Sequence, residues 1–257
     1  MSEHVHCERT EHAHVVTIDR PDKLNALNTE IEDALYAEFE RLAEEDATVV
    51  VIRTEGDAFI AGADLKEIRG MSTREFVEYQ KNARETHDYI ATHPAVVIAA
   101  VDGLAYGGGF EIALAADMIV AGTDATFAVP EVKLGLVPGG GATQRLPRLV
   151  GKNRAKELLT TGNPIDADEA RMLGLANRVV PTEEVDEAAR ELAAEIDTNA
   201  PLAVKEAKRL VNEGTEAALD TGLSYEQEVT FTLYQTADAA EGIDAFAEKR
   251  DPEFTGE

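Results

Sequence analysis

One cysteine and three serines (Ser2, Ser72, Ser224) are all that 257 residues offer in side-chain nucleophiles of those two kinds. A lone thiol, Cys7, leaves no intramolecular disulfide and fits a reducing, cytoplasmic setting. No serine lies in a Gly-x-Ser-x-Gly setting, so a serine hydrolase is excluded. Positive charge is also scarce. Lys+Arg number 24 against Asp+Glu 50, a net charge of −26, and lysine (9) is rarer than arginine (15). Such a field repels phosphate backbones and anionic lipid surfaces, which argues against nucleic-acid and membrane partners. It suits concentrated salt, where the screening length is only about 3 Å at 1 M. Long apolar runs are missing too. The longest, Ala95 to Val101, is far short of the roughly 20 residues needed to span a bilayer, and the polar N-terminus has no signal core.

What is present is a globular composition, 44% hydrophobic, with enough length for one large domain or two small ones. His14–Ile18, Thr48–Ile52, Ala95–Val101, Met118–Ala121 and Asn177–Val180 read as strands. Helices are expected between them. One is capped by Asn28 or Thr29, with Ile31, Leu35, Phe39 and Leu42 on its apolar face; another spans about 73–93 and is stopped by Pro94. Strands alternating with helices predict α/β architecture. After Pro181 the pattern turns helical over 183–196, 202–212, 216–236 and 239–249, with breaks near Pro201 and Gly214 and a frayed tail from Asp251. No internal repeat is legible. His4, His6, His12 and His14 alternate near Cys7, yet a metal centre needs three or four converging ligands, so none is expected.

Three segments are unlike ordinary packing. Gly56–Ile68 follows a strand and places Ala61, Gly62 and Ala63 ahead of a helix entered at Asp64 or Leu65; it reads as a capped helix entry or as an anion or oxyanion cradle. Gly107-Gly108-Gly109 joins a buried strand to an apolar helix, which suggests close backbone approach, and its spacing is neither a phosphate loop nor Gly-x-Gly-x-x-Gly. Glu111 in that helix's first turn reads as a cap or as a functional carboxylate. Pro130-Glu131 ends another apolar run, and two such carboxylates can divide general-acid and general-base work on one water.

In order along the chain, Asp19–Asn28, Ala61–Lys66, Asp102–Glu111, Pro130-Glu131, Gly141–Leu146 and Glu241–Arg250 resemble the enoyl-CoA hydratase/isomerase (crotonase) family over nearly the whole length. The resemblance implies an α/β spiral of repeated ββα units over residues 1–195, holding the acyl-CoA site. A helical oligomerisation region would occupy 196–257 and build a homotrimer or a dimer of trimers. It implies an oxyanion hole made by the backbone N–H groups of Ala63 and Gly108, with Glu111 and Glu131 as catalytic carboxylates. Lys23, Ala61, Asp64, Leu65 and Lys66 are placed at the acyl-CoA, joined by Phe246 and Lys249 from a neighbouring subunit. The implied reaction is hydration of trans-2-enoyl-CoA to 3-hydroxyacyl-CoA without metal or redox cofactor, coenzyme A being part of the substrate. Phe110 and Val129 depart from the family pattern, which leaves Δ3-Δ2-enoyl-CoA isomerisation as an alternative. A non-catalytic interaction protein of the same fold is a second one, against which the retained glutamate pair speaks.

Overall fold

A computed structural model describes residues 2–257. Strands β1 (Val5–Arg9) and β2 (His14–Ile18) form an antiparallel hairpin, and β2 then runs parallel to β3 (Val49–Thr54). Helix α1 (Thr29–Glu44) makes the crossover. Its N-cap is Asn28, whose side chain accepts the Ile31 N–H at 3.0 Å. After the single turn α2 (Leu65–Ile68), helix α3 (Thr73–Thr92) opens on a reciprocal Ser72–Glu75 capping box and stops before Pro94. All six residues of β4 (Val96–Val101) are buried, the continuous apolar run of a strand covered on both faces.

From there the chain is β5 (Leu104–Tyr106), α4 (Gly108–Ala115), β6 (Met118–Gly122), β7 (Thr126–Ala128), α5 (Ala142–Val150), α6 (Lys152–Thr161), β8 (Ile165–Asp166), α7 (Ala167–Met172) and β9 (Arg178–Val180). Two sheets result, ordered β1-β2-β3-β4-β6-β9 and β5-β7-β8. Ile60 bridges in parallel to Ala105 at the edge of the smaller sheet. Each turn of the chain therefore lays one strand in the large sheet, a short one in the small sheet, and then a helix. This is a spiral of ββα units in an α/β fold. Its repeat escapes sequence inspection because the second strand of each unit is only two or three residues long, or a single bridge.

Side chains alternate across the large sheet. Val49, Val51, Ile98, Ala100 and Val120 pack on Val185, Ala189 and Leu192 of α8 (Val185–Asp197). Val50, Ile52, Val97 and Ala99 join Ile31, Leu35, Phe39 and Ile90 in the larger core on the other side. The boundary expected at 195 falls in the last turn of α8.

The C-terminal helices are α9 (Pro201–Glu216), α10 (Leu219–Leu233) and α11 (Ala237–Glu248). Two expectations are corrected here. Gly214 does not break α9; a β-carbon on Gly222 would stand 3.5 Å from Gly214 Cα, so the glycine marks a close helix–helix approach. The tail is not frayed. Asp238 accepts the Thr255 N–H at 2.7 Å and the Gly256 N–H at 2.9 Å, and Phe254 lies over Gly242. Acidic residues that read as solvated surface charge are here ligands for backbone N–H groups. Among the described residues no helix is long and apolar enough to cross a membrane, and no three His, Cys, Asp or Glu side chains converge as a metal site would need. His12 instead lies 3.1 Å from Asp197, and His14 is buried in β2.

Candidate active site

Two backbone segments meet at the edge of the small sheet. Ile60 donates its N–H to Leu104 O (3.0 Å) and accepts from Tyr106 (2.9 Å), while Leu27 donates to Gly62 O (2.8 Å) and accepts from Asp64 (2.6 Å). Ala63 stands inside this double stitch with its own N–H unpaired among the described residues. Gly62 (φ +108°) lets the segments touch, since a β-carbon there would stand 3.1 Å from Tyr106 O. Gly107 (φ +53°) turns the second segment and anchors its N–H on Ala128 O at 2.9 Å. Gly108 then opens α4, and its N–H, one of the first four of a helix, also has no partner among the described residues. Two free donors on adjacent backbones, one at the positive end of a helix, can hold an oxygen on which charge develops. The helix-entry reading of the first segment holds: Asp64 caps α2 by accepting the Lys66 N–H at 3.0 Å and pairs with Arg20 at 2.9 Å.

Glu111 is not a cap of its own helix. Its buried carboxylate reaches across to α5, where Oε1 accepts the Ala142 N–H at 2.9 Å. Glu131 sits in the 3-10 turn Pro130–Leu134 after β7. Its Oε1 lies 3.0 Å from where a β-carbon on Gly107 would stand, and its buried Oε2 has no hydrogen-bond partner among the described residues. Burial, and then the nearby Glu111 carboxylate, push Glu131 up to about 7, against the pull of its own backbone N–H. A carboxyl group still protonated near neutrality is a proton donor. Glu131 and Ala63, far apart in sequence, are thus gathered around Gly107-Gly108 with Glu111 one helical turn inside.

Residues 8–257 match the enoyl-CoA hydratase/isomerase family. The chain belongs to this family. It is 44% identical over 243 residues to the probable enoyl-CoA hydratase 2, mitochondrial, of Arabidopsis thaliana, covering 94% of this chain and 81% of that protein. It is 41% identical over 238 residues to the short-chain-enoyl-CoA hydratase of Clostridium acetobutylicum, covering 92% and 91%. The crystal structure of an enoyl-CoA hydratase from Bacillus anthracis superposes with a TM-score of 0.97 at 38% identity over 99% of this chain and 100% of that one.

The remaining residues that the resemblance points to divide into two groups. Ala61 donates its N–H to Leu24 O at 3.0 Å, which ties the turn holding Lys23 to the Ala63 segment. Leu65 and Lys66 follow in α2, both exposed, and Lys23 lies 3.1 Å from Asp22. Phe246, 87% exposed, lies in the last turns of the C-terminal helix α11, and Lys249 is its C-cap. Phe110 does not narrow the site: its ring is buried against Phe127 at 5.3 Å, inside the core. Val129 is likewise buried, and it is the Ala128 carbonyl beside it that holds Gly107.

Sequence reasoning missed the wall behind Glu111. A β-carbon on Gly140 would stand 2.9 Å from Glu111 Oε2 and 2.2 Å from His87 Nδ1, so this glycine is required for closeness. A legible signal existed, since His87 continues the buried stripe of Tyr79 and Ala83 on α3. Alongside, a groove of about 390 Å³ runs between α3 and Gly139, lined by Phe76, Val77, Gln80 and Arg84.

Proposed function

We propose that this protein adds water across the double bond of a trans-2-enoyl-CoA thioester to give a 3-hydroxyacyl-CoA. The observation that carries this reading is the pairing of Glu111 and Glu131 beside two unpaired backbone N–H groups. The thioester carbonyl accepts from Ala63 and Gly108, which stabilises the enolate formed as water attacks. Glu111, fixed through Oε1, takes a proton from the water as its oxygen bonds to C3. Glu131 delivers a proton to C2, the role its raised pKa fits. Across the cycle one water is consumed and both carboxyl groups return to their starting states once a proton has passed back to Glu131. The thioester itself acidifies the α-carbon, so the chemistry requires no metal or redox cofactor. Isomerisation needs one proton shuttle only, so the second carboxylate favours hydration.

The C. acetobutylicum relative is called a short-chain hydratase, and crotonyl-CoA is accordingly the substrate to try first. The groove beside Gly139 gives the acyl end a wall on α3. Lys23 and Lys66 offset the global negative field at the coenzyme A phosphates. Leu219, Leu223 and Phe231 on α10 and its C-cap Tyr234, with Ile243 and Phe246 on α11, leave apolar surface exposed that a trimer, alone or doubled, would cover and that would bring Phe246 and Lys249 to a neighbour's substrate. The acidic surface is an adaptation to a salt-rich cytoplasm. The test is loss of enoyl-thioester absorbance on mixing with crotonyl-CoA.

A further inference from the structure

Behind Glu111 lies a second set of ionisable side chains for which hydration by two glutamates has no obvious use. His87 on α3 and Glu32 on α1 are each 1% exposed, in helix faces that otherwise carry Tyr79, Ala83 and Ile90 or Ile31, Leu35 and Phe39. His87 Nε2 stands 3.5 Å from Glu32 Oε1, and among the described residues neither side chain has a closer hydrogen-bond partner. The other ring nitrogen faces the active site. Nδ1 and Glu111 Oε2 converge on one point above Gly140 Cα, 2.2 and 2.9 Å from it. Glu111 Oε1 is fixed by the Ala142 N–H, while Oε2 and the edge of the imidazole border the same small space over Gly140 without a hydrogen bond between them.

The other charges around the ring are accounted for. Arg145 of α5 donates to Gly140 O at 2.6 Å and to Asp88 Oδ1 at 2.6 Å, and Asp88 also receives Arg84. Arg145 is thus committed to Asp88, and among the described residues the cationic partner within 4 Å of Glu32 is His87. Burial alone pushes the imidazole toward its neutral form; Glu32 first, then Glu111, outweigh burial and Arg145 and raise its pKa.

We propose that His87, held from behind by Glu32, is a positioning residue for Glu111, fixing the orientation of its carboxylate and balancing its charge. The inference rests on Glu111 being the water-activating carboxylate. Three helices are linked by it, since α1 supplies Glu32, α3 supplies His87 and α4 supplies Glu111. Glycine at 140 leaves room for both groups, because a β-carbon there would crowd the ring and the carboxylate alike.

The test is steady-state hydration of crotonyl-CoA by Glu32→Gln and His87→Gln, with nitrogen NMR of the His87 ring in the unsubstituted protein. Each variant loses about ten- to hundredfold in kcat while KM stays within about threefold. The acid limb of the pH–rate profile moves to higher pH, because losing an adjacent cation disfavours an ionised carboxylate. The double variant is no worse than His87→Gln alone, as expected of groups acting as one unit. Both His87 ring nitrogens carry protons at pH 7 in the unsubstituted protein. A folded His87→Gln with unchanged kcat and pH profile overturns the inference, and so does a neutral ring at pH 7. Should His87→Gln not fold, Glu32→Gln and the ring spectrum decide alone. Full activity in Glu111→Gln would instead remove the role assigned to Glu111, an outcome separable from the others.

Discussion

Gly109 packs so closely on Ile60 that a β-carbon there would stand 2.3 Å from the Ile60 carbonyl oxygen. The obstacle is backbone, so it cannot swing aside. One position earlier, at Gly108, the nearest atom is the end of the Leu27 side chain, 3.0 Å away. Gly109→Ala is therefore expected to cost about 3 kcal/mol of stability, the upper range for overpacking. Gly108→Ala should fold nearly as well and lose about 10²-fold in kcat, because its N–H is displaced from the oxyanion position. Urea unfolding and steady-state kinetics on both variants check the contrast.

Glu131 ties pH to both activity and stability. Its carboxyl group is raised from 4.5 to about 7, so between those values the folded protein holds a proton that the unfolded chain has released. Stability must then fall as pH rises through that window. Glu131→Gln carries no such proton, and its melting temperature relative to the unsubstituted protein should climb from pH 5 to pH 8. In the same window kcat/KM of the unsubstituted enzyme declines above about pH 7 as the acid is lost. A melting-temperature difference flat with pH would contradict the burial of Glu131.

Lys208 docks the C-terminal helices onto the sheet. Its ammonium lies 2.6 Å from Asp117 and donates to Ala95 O at 2.7 Å, with both side chains largely buried. Asp117 in turn accepts the Val97 N–H at 2.7 Å. Lys208→Met leaves that carboxylate buried without its cation and should cost about 3–5 kcal/mol. Adding Asp117→Asn, which removes the stranded charge, should recover part of it. Thermal unfolding of the two variants measures the difference.

Most of the large sheet and its helices were legible in the sequence, while the spiral came only from the family resemblance, and the reasons are physical. Strands such as Val96–Val101 and helices capped by Asn28 or Ser72 carry their own signals. The small sheet does not, because Leu104–Tyr106 and Thr126–Ala128 are too short to show a period and form only when paired across the spiral. Glu111 and Glu131 stood out by being acidic in glycine- and proline-marked apolar runs. Glu32 and His87 did not, although His87 falls on the stripe of Tyr79 and Ala83, because polar residues on helices are ordinarily solvated and their burial shows only in the packed structure. The tail misled for a similar reason: its anchor, Asp238, lies on a different element and looks like any surface carboxylate.

The charge of −26 makes a prediction of its own. If the surface is adapted to salt, lowering ionic strength from molar to millimolar unscreens self-repulsion and lowers the melting temperature. Sedimentation over the same range should show the proposed trimer dissociating. A trimer equally stable at both extremes would refute the salt adaptation and leave the chemistry untouched.

The most direct test of the account is hydration of crotonyl-CoA by the unsubstituted protein, Glu111→Gln and Glu131→Gln, with thioester binding measured alongside. Hydration should proceed in the first and fall by about 10²–10⁴-fold in each variant while binding persists, since the oxyanion donors are backbone groups that neither change removes. Full turnover in either variant would contradict the two-glutamate mechanism.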